Sequence, residues 1–296
     1  MGLMNMWEVA PPRQRRNGLL PMRRRHPKGR CLLCLSLALF IMALGAPSAE
    51  ATIIVGIRTP EQVVIAADSL GTFHGLYPET TNEACKVAAV EGVGFAVAGL
   101  AKSPRGGLDA EAVIARALSG RRSLLQAVTA IQVELRTHIA QELERQRRED
   151  PRFFAKTVEG EDGVVTSILV GALEGDVPVA VALDFKASYD PAGKIAVSTS
   201  RLACPGDCPS GVLTFYLGNW RPIQRYVSEH GQPSEMPPAA AARFLAQLAI
   251  DARAPGVGPP IDVLVISKSG IFWQALKGEC GGAASGVPGS SPISPQ

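Results

Sequence analysis

Hydrophobic and polar positions along this chain change period several times, and the changes mark out its elements. Residues 52–58 and 62–67 are short β-branched runs separated by a Thr-Pro-Glu turn, which predicts a buried hairpin. A second hairpin is expected over 86–90 and 93–98, turning at Glu91-Gly92. The period then becomes helical over 108–117 and 123–148. In the longer segment Leu124, Val128, Ile131, Leu135 and Ile139 recur at steps of three and four. Its mixed-charge end, 142–150, reads as a solvated helix terminus. Strands are expected again at 164–170, 177–183, 195–200 and 212–217, helices at 223–229 and 238–252. A last hairpin is expected at 261–266 and 271–275 around Lys268-Ser269-Gly270. Runs of strands alternate with runs of helices, so the pattern predicts a layered α+β domain with two antiparallel sheets covered by helices. No internal linker divides it.

One apolar run does not belong to this pattern. Residues 31–44 follow a cationic stretch at 22–30 and precede small residues at Ala49 and Ala51. Those are the three parts of a secretory signal, and 14 apolar residues are short for a bilayer span of about 20. Residues 1–51 are therefore expected to be a signal peptide removed by signal peptidase. The alternative is an uncleaved signal anchor. Met22 is an alternative start, which would leave residues 1–21 outside the translated chain. The mature protein is expected to begin at Thr52, to be exported to the periplasm or the extracellular space, and to keep no membrane anchor.

This division changes the meaning of the charge. The whole chain carries +3, but residues 1–51 hold eight of the 30 basic residues and two of the 27 acidic ones. Residues 52–296 thus carry −3 and offer no basic field for nucleic acid. The domain is expected over 52–277, and the Gly/Ser/Pro-rich segment 278–296 as a disordered tail. Of six cysteines, Cys31 and Cys34 leave with the signal. Cys204 and Cys208 flank a short Pro-Gly-Asp turn and are expected to form a disulfide, in keeping with export. Cys85 and Cys280 could pair or stay free.

A threonine left at the head of a buried strand carries a hydroxyl and a free α-amine on one residue. The amine, with an ordinary pKa of about 7.7–8.0, can take the hydroxyl proton near neutrality. Such a threonine is a recognised covalent nucleophile. Asp68 ends the second strand, Lys86 begins the third, and Gly99 lies in the Ala98-Gly99-Leu100-Ala101 segment ending the fourth. Each has a plainer reading: Asp68 as a turn cap, Lys86 as a snorkelling surface side chain, Gly99 as a tight bend. His74, His138 and His230 lack paired metal-ligand spacing, and no phosphate loop or Gly-x-Ser-x-Gly elbow occurs. No metal and no cofactor are expected.

These residues, in this order, resemble the proteasome β-subunit and its bacterial relatives among the N-terminal-nucleophile (Ntn) hydrolases. The likeness lies in Thr52-x-x-Val55-Gly56, Val63-x-x-Ala66-Ala67-Asp68-Ser69, Lys86-Val87 and Ala98-Gly99. It continues through 169–173 and 182–185 to the passage from 249–256 into 261–266. The resemblance implies a four-layer αββα sandwich and a threonine-type hydrolase of peptide or other amide substrates. It implies Thr52 as nucleophile, Lys86 beside its Oγ, Asp68 holding Lys86, and the Gly99 N–H stabilising an oxyanion. Asp251 would orient the amine, and Asn219 stands where a serine is usual. It also implies a homo-oligomer and an apolar first specificity pocket near Val97 and Ala101. Two positions depart from the pattern: Gly218-Asn219-Trp220 replaces Gly-Ser-Gly, and Ala254 replaces a late serine. An insertion is implied over 75–84. The departures favour the alternative, a catalytically inactive binding or assembly module on the same fold.

Overall fold

A computed structural model describes residues 52–73, 79–81, 85–103, 107–120, 123–158, 163–208 and 211–276. The expected signal segment, the tail and Cys280 lie outside the described residues.

The first sheet contains β1 (Ile53–Arg58), β2 (Gln62–Asp68), β10 (Leu213–Gly218), β11 (Ile261–Ser267) and β12 (Gly270–Ala275), in the order β10-β1-β2-β11-β12. The second contains β5 (Val87–Val90), β6 (Val93–Gly99), β7 (Val164–Glu174), β8 (Val177–Tyr189) and β9 (Ile195–Cys204), in sequence order. Every pairing in both sheets is antiparallel. A small hairpin, β3 (Gly71–Phe73) with β4 (Glu79–Thr81), stands apart. The helices are α1 (Ala110–Leu118), α2 (Leu124–Glu149), α3 (Pro151–Val158), α4 (Arg221–His230) and α5 (Pro238–Asp251).

Three apolar clusters show how these elements stack. Alternate residues of β1 and β2, such as Ile53, Val55 and Val64, pack against Leu245, Ala246 and Ala249 of α5 and Ile223 of α4. The opposite faces of the same strands, Ile54 and Ile65, meet Ala96, Leu169 and Ala180 of the second sheet. The outer face of that sheet, with Phe95, Ile168 and Leu183, is covered by Ile114, Ile131, Leu135 and Ile139 of α1 and α2. The result is a four-layer αββα sandwich, with the two sheets face to face and a helical layer on each outside.

The sheets approach closely where glycines leave room. Gly94 and Gly171 face each other in the register of β6 and β7. A Cβ at Gly171 would come within 2.7 Å of Val63 in the other sheet, and one at Gly94 would overlap Leu264. These two absent side chains form the depression that Leu264 and Val63 fill.

The expected hairpins and the long helices are present. Ser123 caps α2 by accepting from the Gln126 N–H, and Asp109 caps α1 by accepting from Ala112. Strands β7 to β9 run longer than expected, and the β3–β4 hairpin and α3 were not foreseen. The Cys204–Cys208 disulfide is formed, with 5.2 Å between the Cα atoms. Cys85 is also disulfide-bonded. No helix among the described residues is long and apolar enough to cross a membrane.

The solvated end expected for α2 is present at Arg148 and Glu149, which are exposed, and is corrected by the structure at 142–146. Glu142 and Gln146 are buried, and Glu142 accepts from Arg145 Nε at 2.9 Å and from Gln146 Nε2 at 3.1 Å. Burial acts most strongly on the Glu142 carboxyl and would raise it. Hydrogen bonds from Arg145, Gln146 and Ser103, with the Arg145 charge, outweigh burial and hold it below the ordinary glutamate value. A depressed folded-state value adds stability above the ordinary range, and that stability is lost as pH falls through the folded value.

Two outcomes follow from this packing. Gly94→Ala should cost about 1–3 kcal/mol in denaturant unfolding, and Leu264→Val in the same chain should return part of it. An unchanged midpoint for Gly94→Ala would contradict the close approach of the sheets. Stability should fall as pH drops below about 4.3, and Glu142→Gln should flatten that fall. An equal acid slope in the variant would show that Glu142 does not carry it.

Candidate functional site

Five strand ends meet at one edge of the sandwich: the starts of β1, β5 and β11, and the ends of β2 and β10. Register fixes this meeting. Ile53 pairs with Gly218, and Asp68 with Ile261. Across the inter-sheet layer, Ala98 lies beside Gly218, so the end of β6 reaches the same place.

Asp68 is at the centre. It is fully buried, and its carboxylate is surrounded by donors. Oδ1 accepts from the Ile53 N–H at 3.0 Å, and both oxygens accept from Lys86 Nζ at 2.9 Å. Oδ2 also accepts from the Gly258 N–H at 3.1 Å and the Leu70 N–H at 3.2 Å. The Lys86 side chain is itself only 9% exposed, so this is an ion pair inside the protein. Burial pushes the Asp68 carboxyl above the ordinary carboxylate value. The Lys86 charge and the hydrogen bonds from Ile53, Lys86 and Gly258 pull against that rise without cancelling it.

Thr52 is next to the first of these donors. It is 7% exposed, and its carbonyl accepts from the Asn219 N–H at 2.8 Å. Gly218 makes that bond accessible: its φ of +79° suits glycine, and any Cβ there would collide with the Thr52 carbonyl. Asn219 is thus beside Thr52 through its backbone. Gly99 ends β6 with φ +83°, and a Cβ there would strike the Val165 carbonyl. The turn beyond it is fixed by the Leu100 N–H donating to Val165 O and by Thr166 Oγ1 donating to Leu100 O, both at 2.9 Å.

The structure therefore gathers Thr52, Asp68, Lys86 and Asn219 around one carboxylate and one carbonyl, with Gly99 one residue past Ala98. It does not draw Asp251 into those hydrogen bonds. Asp251 is exposed at the end of α5, where Gln247 Nε2 donates to it at 2.8 Å. Ala254 is buried against the helical layer. Sequence reasoning quoted Ser69 in a motif but gave it no role, and missed Asp262; these two buried polar residues are joined by Ser69 Oγ donating to Asp262 Oδ2 at 3.1 Å. The available signal was an aspartate inside the otherwise apolar run 261–266.

No family model matches this chain, and no curated protein matches it. Among solved structures it is similar to a Gly-1 mutant of Anbu from Hyphomicrobium sp. strain MC1, at 15% identity with a TM-score of 0.47. That match covers 76% of this chain and 85% of the other. A second structure of Anbu from the same strain is 16% identical, covering 75% and 85%, with a TM-score of 0.43. Anbu (ancestral beta-subunit) from Yersinia bercovieri is 17% identical, covering 75% and 86%, with a TM-score of 0.46. Likeness at that level assigns no family. The placement in the proteasome β-subunit family suggested by the motifs is accordingly withdrawn, since neither a family model nor a curated relative carries it. The αββα sandwich stands on its own sheets and helices.

The buried ion pair has a measurable consequence. Asp68→Asn leaves an ammonium without its carboxylate and should cost about 3–5 kcal/mol in thermal or denaturant unfolding. Asp68→Asn with Lys86→Met should cost less than Asp68→Asn alone. A double variant as unstable as the sum of the two single ones would contradict the pairing.

Proposed function

We propose that this chain is an exported N-terminal-threonine hydrolase that cleaves peptide or other amide bonds through an ester on Thr52. The observation that carries the reading is the sharing of one buried carboxylate: Asp68 bonds both the Ile53 N–H, next to Thr52, and the Lys86 ammonium. A hydroxyl, a fixed cation and a held strand start are the groups this chemistry needs within reach of one another.

Cleavage after Ala51 would free the α-amine of Thr52. The amine then takes the Oγ1 proton, directly or through a water, as Oγ1 attacks the substrate carbonyl carbon. Lys86 holds positive charge beside the nucleophile and favours the forming alkoxide. The oxyanion of the tetrahedral intermediate is assigned to the Gly99 N–H, a kind of donor worth about 3 kcal/mol of barrier lowering. Collapse breaks the C–N bond, and the protonated α-amine gives its proton to the departing amine. Water then attacks the Thr52 ester, with the α-amine as base again, and releases the acid. Asn219 contributes by holding the Thr52 carbonyl through its backbone. Asp251 is given no step. The Cys204–Cys208 disulfide is compatible with an oxidising, exported setting.

The test has two readouts on protein produced from the full chain. Intact mass of the exported form should begin at Thr52, and a β-lactone electrophile should add its mass to Thr52 and not to Thr52→Ala. Lys86→Ala should slow that labelling by about 10²–10⁴-fold. Any other mature N-terminus, or an unlabelled Thr52 at its correct start, would remove the catalytic reading and leave a binding module.

A further inference from the structure

We infer that Ser69 and Asp262 act as a positioning pair, whose hydrogen bond sets the turn that aims the Asp68 carboxylate at Lys86 and at the start of β1. This deepens the proposed function and rests on it.

Ser69 follows Asp68 directly and has no solvent exposure; Asp262 is 1% exposed. Their side chains meet at 3.1 Å although 193 residues separate them in the chain. The Ser69 N–H donates to the Gly258 carbonyl at 3.3 Å, and the Gly258 N–H donates to Asp68 Oδ2 at 3.1 Å. Gly258 is pressed against Leu70, whose side chain would lie 3.0 Å from any Cβ placed there. The Leu70 N–H is the other backbone donor to Asp68 Oδ2. Two of the three backbone donors to Asp68 are thus neighbours of Ser69: Leu70, next in the chain, and Gly258 before β11, whose carbonyl accepts from the Ser69 N–H. Asp262 supplies the anchor from β11, one residue beyond Ile261, which pairs with Asp68.

Two apolar side chains would fill this space with less desolvation. A hydroxyl–carboxylate bond instead fixes a direction, and the turn needs one because Asp68 must serve Ile53 and Lys86 at once. Among the described residues, the charged groups around Asp68 are Lys86 from the lead-in to β5 and, through Ser69, Asp262 from β11. In a processed chain the α-amine of Thr52 is a third.

Loss of the Ser69 hydroxyl should loosen the Gly258 and Leu70 donors. The carboxylate is then less favoured and takes its proton at higher pH. In Ser69→Ala, the acid limb of Thr52 labelling by the β-lactone should move up by about one pH unit, a tenfold change in proton affinity. Asp262→Asn keeps an acceptor oxygen for Ser69 and removes a negative charge, so its limb should not move up. The Asp68 carboxyl, followed by NMR in ¹³C-aspartate protein, should show the same pair of results. That titration decides the inference even if wild-type Thr52 is never labelled, an outcome that would sink the hydrolase reading alone. An unmoved Asp68 midpoint in Ser69→Ala, whatever its melting temperature, overturns the inference. An equal upward move in Asp262→Asn overturns it too, because the bond would not be the cause.

Discussion

The arrangement of this molecule depends on a carboxylate that cannot be left alone. Asp68 has no solvent exposure, so its charge must be met by donors from inside the protein. The chain supplies them from separated places: Ile53 at the head of β1, Lys86 before β5, and Gly258 before β11. Meeting that demand fixes the heads of three strands against the end of β2. The two sheets are tied at the same point, since Lys86 leads into the second while Asp68 belongs to the first.

The rest of the fold makes that demand hold. Helices on both outer faces keep water from the sheets, and Gly94 and Gly171 let the sheets approach until their side chains interlock. A looser inter-sheet layer would admit water to the pair, and the solvated ammonium would have less reason to stay on Asp68. Gly218 and Gly99 act locally in the same sense. Each allows a backbone approach that a side chain would block, one at the Thr52 carbonyl and the other at Val165.

Much of this was legible from the residues, and the failures have physical causes. The hairpins and the long helix were readable because their apolar positions keep one period over several turns. The β3–β4 hairpin and α3 span only three to eight residues each, too few for a period to develop. At α2, spacing was the better guide than polarity. The stripe through Leu135 and Ile139 continues at steps of three and four to Glu142 and Gln146. Both are buried as that spacing requires: Arg145 and the Gln146 amide N–H meet the Glu142 carboxylate, while Gln146 Oε1 has no hydrogen-bond partner among the described residues. Asp68 and Lys86 were singled out by local motif. Ser69 stood in the same motif as Asp68 without a role and Asp262 was not singled out, because their contact arises only when β11 pairs with β2, far along the chain. The motifs also suggested a family that neither family models nor curated relatives support, which shows how far short segments can outrun the chain as a whole.

The central claim is that the Asp68–Lys86 pair serves a free threonine at the head of β1. A crystal structure of the exported protein tests it most directly. The account predicts a chain beginning at Thr52, with no density for a preceding residue and with Thr52 Oγ1 within about 3.2 Å of Lys86 Nζ or one water away. A peptide bond still joining Ala51 to Thr52, or a Lys86 ammonium beyond reach of the threonine hydroxyl while paired with Asp68, would contradict it.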